Sequence, residues 1–224
     1  MDQVDRRDYV DRYRARLHQY GYSPETLGWG KHGRQEVRFA VLAEQALLAP
    51  ESAVLDYGCG FADLYDFLRA HGWRGRYTGV DIVPDLLAIA SERHPDLDLR
   101  ELDVTGDDAR LDEFDFVIAS GVFNAKLKVG DNREHIARAL RALFGMTRTA
   151  LSVDFLSTHV DFQKPDGWHT DPAWILGQAK SLSRRVLLRH DYMPYEFSVT
   201  VFKDETVSER NVFETFERRL VGRD

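Results

Sequence analysis

Cysteine is almost missing from this chain. Cys59 is the only one in 224 residues, so no disulfide can close within it, and a reducing cytoplasm is the expected setting. Long apolar runs are missing too: nothing approaches the ~20 residues that a membrane-spanning helix needs. The opening segment, Met1 to Arg7, carries mixed charge and lacks the apolar stretch of a secretion signal. An excess of positive charge is also absent. Thirty Lys and Arg stand against thirty-seven Asp and Glu, a net charge of −7, which is the wrong overall sign for a protein that lives on phosphate backbones. No repeat or low-complexity tract interrupts the sequence.

What remains, 43% hydrophobic and 30% charged residues in 25.8 kDa, suits one α/β domain with some decoration. Val4, Tyr9, Tyr13, Leu17 and Tyr20 recur at helical spacing and predict an amphipathic first helix. Pro24, Gly28, Gly30 and Gly33 mark the loop that follows. A second helix is expected over 34–48, with Val37, Val41 and Leu48 on one side. From residue 53 the pattern changes to alternating strands and helices. Strands are expected at 53–55, 77–80, 97–102, 114–119 and 150–156, and then as a pair at 186–189 and 197–202. The run from Phe114 to Ala119 is nearly all apolar, as in a strand covered on both faces. Pro84, the Asp131-x-x-Glu134 box and Asp171-Pro172 open helices, and a last helix is expected over 208–220. This alternation predicts a doubly wound, mainly parallel sheet whose ligand crevice lies at the carboxyl ends of the strands. Residues 1–50 are expected to form a helical lid packed on a core spanning 51–224, the whole being one domain.

The chemistry concentrates in Asp56-Tyr57-Gly58-Cys59-Gly60-Phe61-Ala62-Asp63. A glycine turn after a first strand serves dinucleotides and S-adenosylmethionine alike. A dinucleotide lays its pyrophosphate on the helix N-terminus. Asp56 and Asp63 would repel that group and attract the ammonium and sulfonium of the methyl donor. Asp81 ends the second strand, twenty-one residues after Gly60, where a carboxylate can accept from both ribose hydroxyls. Such bonds are worth roughly 1.5–3 kcal/mol each. Asp103 ends the third strand, within reach of an adenine amino group, and Ile82 and Val104 follow the two acids as candidates to sandwich the ring.

Asp56-x-Gly58-x-Gly60, then Asp81, then Asp103, resembles the motif series of class I S-adenosylmethionine-dependent methyltransferases. The resemblance implies a seven-stranded sheet with an antiparallel last strand. It also implies that Gly58 and Gly60 admit the methionine part, Asp56 orients its amino group, Asp81 holds ribose and Asp103 reads adenine. Ala62 departs from the family's usual glycine.

Further candidates rest on position. Cys59 is expected to pack within the cofactor loop, with no base in sight to make it a nucleophile. Trp29 and Arg38, with Lys31, flank the glycine-rich loop and could close over the donor, a basic residue pairing its carboxylate; the alternative is a solvated basic face. Ser120 follows the fourth strand and should border both ligands. His159 and His169, near Asp161 and Asp171, are candidate general bases, and no metal is expected there. Tyr192, Tyr195 and Glu196 could line a pocket or shield the hairpin. The expected activity is in-line methyl transfer to a small molecule, without nucleic acid or membrane. A nucleotide-dependent oxidoreductase or a non-catalytic binding protein of the same fold are the alternatives. Neither the acceptor atom nor the oligomeric state is legible.

Overall fold

The computed structural model describes residues 1–29, 34–106 and 111–205. The helix expected over 208–220 and Lys31 lie outside them. Two helices come first, α1 (Gln3–Tyr20) and α2 (Arg34–Ala46). Then follow β1 (Val54–Tyr57), α3 (Asp63–Ala70), β2 (Tyr77–Asp81), α4 (Pro84–Arg93) and β3 (Asp98–Glu101). The second half holds β4 (Phe114–Ala119), α5 (Asn132–Gly145), β5 (Thr147–Leu156), α6 (Pro172–Leu182), β6 (Val186–Met193) and β7 (Glu196–Phe202).

The seven strands form one sheet in the order β3-β2-β1-β4-β5-β7-β6, with β7 antiparallel to both its neighbours. β1 pairs in parallel with β2 on one side and β4 on the other, so the chain reverses direction across the sheet at that point. In such sheets the ligand crevice opens where the strand order reverses. β1 and β2 are buried along their whole length, which is why both read as short apolar runs. The helix signals act locally as the sequence implies. Asp131 accepts from the Glu134 amide at 2.9 Å and Asp171 from the Ala173 amide at 2.8 Å.

The N-terminal helices depart from expectation in which face they bury. On α1 the buried side is Tyr9, with Tyr13 and Leu17 packed against Phe61, Val83 and Leu86, while Val4 and Tyr20 are exposed. Among helices, α1 packs chiefly on α4, so a narrow stripe suffices. α2 buries Phe39, Leu42 and Ala46 against the sheet and leaves Val37 exposed. It therefore forms part of the helix layer over β4, β5 and β7, while α1 with the following loop lies over the strand ends. α1 is fastened there by polar contacts. Both oxygens of buried Asp5 accept backbone amides, from Lys128 at 2.6 Å, Val129 at 3.1 Å and Gly130 at 2.9 Å. The Tyr9 hydroxyl donates to the Val122 carbonyl at 3.0 Å.

Candidate functional site

Gly58 and Gly60 take positive φ, +77° and +53°, which bends the chain sharply after β1. A Cβ on Gly58 would lie 2.4 Å from Val122 Cγ2, so any larger residue would be forced into the next loop. Ala62, where the family pattern has glycine, also adopts the left-handed conformation, φ 61°, and is fully buried. Its methyl therefore does not prevent the turn, although the conformation carries a strain of roughly 1–2 kcal/mol for a residue with a Cβ.

Asp81 secures this turn. Its two oxygens accept the Gly60 amide at 2.8 Å and the Val83 amide at 2.9 Å. Burial raises its pKa, against the pull of those amides. Asp56, buried on β1, accepts from the Tyr77 hydroxyl at 2.6 Å. Burial, opposed by that bond and helped by nearby Asp81 and Asp63, pushes its carboxyl up to about 7. Asp154 on β5 takes the Ser120 hydroxyl and the Gly121 amide, both at 2.6 Å, and burial pushes it up to about 6.

Over these groups lies a cavity of about 810 Å³. Of the residues marked out by sequence, Asp56, Gly58, Cys59, Gly60, Asp81 and Ile82 border it, together with Ser120 and Trp29. Three do not. Val104 is buried in the main core. Asp103 is engaged by the Met1 amino group at 2.7 Å and by Thr105. Burial would raise its pKa, but those bonds outweigh it and hold the carboxyl below the ordinary value. Arg38, expected at the donor's carboxylate, instead makes a buried two-pronged pair with Glu196 on β7 and stacks over Trp29 at 4.2 Å. Asp63 is corrected too. It pairs with Arg93 at 2.9 Å and accepts from Tyr22, so its charge is neutralised away from the cavity. Exclusion of a pyrophosphate therefore falls to Asp56.

Among the wall residues not foreseen are Tyr9 and Tyr13 from α1, Gln35 from α2, and His135 from α5. His135 falls one turn before buried Ala139, a spacing that marks the inner face of α5. Burial holds its imidazole neutral, with a pKa lowered to about 4.

A second cavity of about 1260 Å³ adjoins the first, and Tyr13, Leu27, Trp29 and Gly121 border both. The Trp29 ring lies so close to Gly121 that a Cβ there would fall 2.0 Å from it. His169 and Tyr195 border this second space, as do Arg38 and Glu196. His169 holds Nδ1 2.8 Å from the Ser157 carbonyl, and its Nε2 is buried without a partner. His159 instead packs its ring 6.0 Å from His190. Asp171 is spent on capping α6, and among the described residues no group of three His, Cys, Asp or Glu is placed to hold a metal ion.

The floor of the first cavity fits the methyl donor on its own chemistry. An ionised carboxylate offers about four acceptor sites, and Asp81 uses two on the loop, leaving the rest for a vicinal diol. Comparison with known proteins points the same way. Residues 54–144 match the family model described as "Methyltransferase domain". The Mycobacterium tuberculosis protein "Putative methyltransferase Rv1506c" is 34% identical over 157 residues, covering 67% of this chain and 93% of that protein. Among solved structures, magnesium protoporphyrin IX methyltransferase (ChlM) from Synechocystis PCC 6803 with bound SAH superposes with a TM-score of 0.63 at 16% identity. It covers 91% of this chain and 100% of its own. The small RNA methyltransferase HEN1 superposes with a TM-score of 0.59 at 16% identity, over 79% of this chain and 26% of that one. No helix among the described residues is long and apolar enough to cross a membrane.

Proposed function

The chain belongs to the S-adenosylmethionine-dependent methyltransferases, and on that premise we propose that it methylates a small molecule held in the second cavity. The observation that carries this reading is the shared wall. Trp29 and Gly121 border both the space above the glycine turn and a roomy neighbour, so a donor methyl beside them meets an acceptor once the Trp29 ring shifts off Gly121.

When bound, S-adenosylmethionine supplies a methyl already activated on its sulfonium. The chain's own residues then have three tasks. Asp81 holds the ribose hydroxyls with the acceptor sites its loop bonds leave free. Asp56 faces the donor's ammonium. Tyr9, Tyr13 and Trp29, carried by α1 and the loop after it, cover the site as the lid and keep water out. Much of the rate then comes from alignment at near-attack distance. We assign to His169, which borders the second cavity, the proton of the acceptor, a role that requires its buried Nε2 to be uncovered when the acceptor binds. The Ser157 carbonyl can only accept, so Nδ1 carries a hydrogen and, in the neutral ring, Nε2 is the nitrogen with the lone pair. His159, turned toward His190, has no such place.

The acceptor class rests on enclosure. The second cavity is bounded by α1, the Trp29 loop, β5's end and the loop before α6, which suits a compact molecule better than a polymer. Fold alone does not decide it, since a porphyrin enzyme and an RNA enzyme both share it.

Asp56 gives the test. With its carboxyl pushed up to about 7, it is partly protonated in the empty protein at neutral pH. A bound ammonium favours the ionised form, so binding releases a proton and affinity rises with pH. Calorimetric titration with S-adenosylhomocysteine should show affinity climbing several-fold, up to about tenfold per unit, from about pH 6 to pH 7 and flattening above. Asp56→Asn should bind more weakly and lose that slope. A wild-type affinity independent of pH, or one matched by NAD, would contradict the reading.

A further inference from the structure

The second cavity carries a charge signature opposite to that of the protein. In a chain of net charge −7, five basic residues border it, Arg12, Arg16, Arg34, Arg38 and Lys164, against the acids Asp166 and Glu196. Two of the five are already matched: Arg38 by Glu196, and Arg12 by Asp8 at 2.9 Å. Arg16, Arg34 and Lys164 have no carboxylate partner among the described residues. Arg34 and Lys164 are exposed at the rim. Arg16 lies deeper. It donates Nη2 to the Glu25 carbonyl at 2.5 Å, while its Nε is buried with no hydrogen-bond partner. The Glu25 carbonyl holds the guanidinium in place, and no hydrogen bond among the described residues occupies its Nη1. Such a planar fork suits an oxyanion bound through two parallel bonds. The lining also includes the apolar Leu27, Trp29, Leu156, Val160 and Phe162.

We infer that the acceptor is an amphipathic anion, an apolar or aromatic body ending in a carboxylate or phosphate that Arg16 grips, with Arg34 and Lys164 drawing it in from the rim. This rests on the reading of the second cavity as the acceptor site. The anionic end fixes the molecule at the Arg16 side and leaves its nucleophile free to face the Trp29–Gly121 wall. RNA fits less well, because its phosphates would need an open basic track, whereas here the unmatched charge is gathered at one enclosed cavity.

The experiment uses the full chain loaded with S-adenosylhomocysteine and titrated with 4-hydroxybenzoate, phenyl phosphate and neutral 4-hydroxybenzamide. At least one anion should bind about tenfold or more tighter than the amide, as one charge-assisted pair warrants. The stronger of the two identifies the oxyanion. The preference should shrink with added salt and vanish in Arg16→Gln, while homocysteine-product affinity stays at the wild-type value. Equal binding of amide and anions, binding of neither, survival of the preference in R16Q, or tighter binding of a short single-stranded RNA would overturn the inference. Failure of S-adenosylhomocysteine itself to bind would instead remove the donor reading on which it stands.

Discussion

Replacing Asp81 by alanine is expected to weaken S-adenosylhomocysteine binding by two to three orders of magnitude and to lower the unfolding temperature as well. The carboxylate serves two parties at once. It satisfies the buried amides of Gly60 and Val83, and the account gives its remaining acceptor sites to the ribose. An amide left buried without a partner costs about 1–3 kcal/mol, and each charge-assisted ribose bond contributes about as much. Losing one such ribose bond and some of the loop's order corresponds to about 3–4 kcal/mol, roughly a hundredfold to a thousandfold in affinity. Asp81→Asn separates the two roles. Its carbonyl oxygen can still accept one amide, but its NH₂ would confront the other N–H, so affinity should fall less than in the alanine variant yet remain well below wild type. Calorimetry gives the affinities and thermal unfolding the stability. An Asp81→Ala protein that is folded and binds within threefold of wild type would show that Asp81 holds no ligand.

The second large effect concerns stability. Arg38→Ala should destabilise the fold by about 3–5 kcal/mol, because it leaves the Glu196 carboxylate buried without its counter-charge. That is a large part of the ~5–15 kcal/mol that holds a domain together, and it corresponds to a drop on the order of 10 °C in unfolding temperature. The guanidinium also covers the Trp29 ring, so the wall between the two cavities should loosen. The paired change Arg38→Met with Glu196→Leu removes both charges and should recover most of the lost stability, since well-packed apolar replacements of buried ion pairs are often neutral or better. Urea unfolding of the wild type, the single variant and the double variant measures this directly. A single variant within about 1 kcal/mol of wild type would mean that water reaches Glu196.

The succession of strands and the residues gathered at the glycine turn were largely legible, for a local reason. Parallel strands buried on both faces write themselves as short apolar runs, and the glycine turn, Asp56 and Asp81 sit at fixed offsets from them. Contacts between distant segments were not legible. Arg38 and Glu196 are 158 residues apart, and nothing in either neighbourhood names the other. β7 is instructive. Glu196, Ser198 and Thr200 alternate with Phe197, Val199 and Val201, a pattern that normally means one wet face. All seven residues of β7 are nevertheless buried. The polar face meets α2, where Gln45 accepts from the Ser198 and Thr200 hydroxyls at 3.0 and 3.2 Å and Arg38 takes Glu196. In α2 the signal was present: Arg38, Leu42 and Gln45 fall on one side, so polar residues share the buried face with an apolar one. Asp63 shows the opposite failure. Its position at the mouth of α3 was read correctly, but Arg93, thirty residues on, cancels its charge.

The central claim is that the donor lies over the glycine turn with its reacting end at the Trp29–Gly121 wall. A crystal structure of the protein with S-adenosylhomocysteine tests it most directly. The expected complex has ribose hydroxyls on Asp81, the amino group toward Asp56, and the sulfur at the wall facing the cavity that His169 and Arg16 border. A ligand whose ribose lies away from Asp81, or whose sulfur points away from that second cavity, would contradict it.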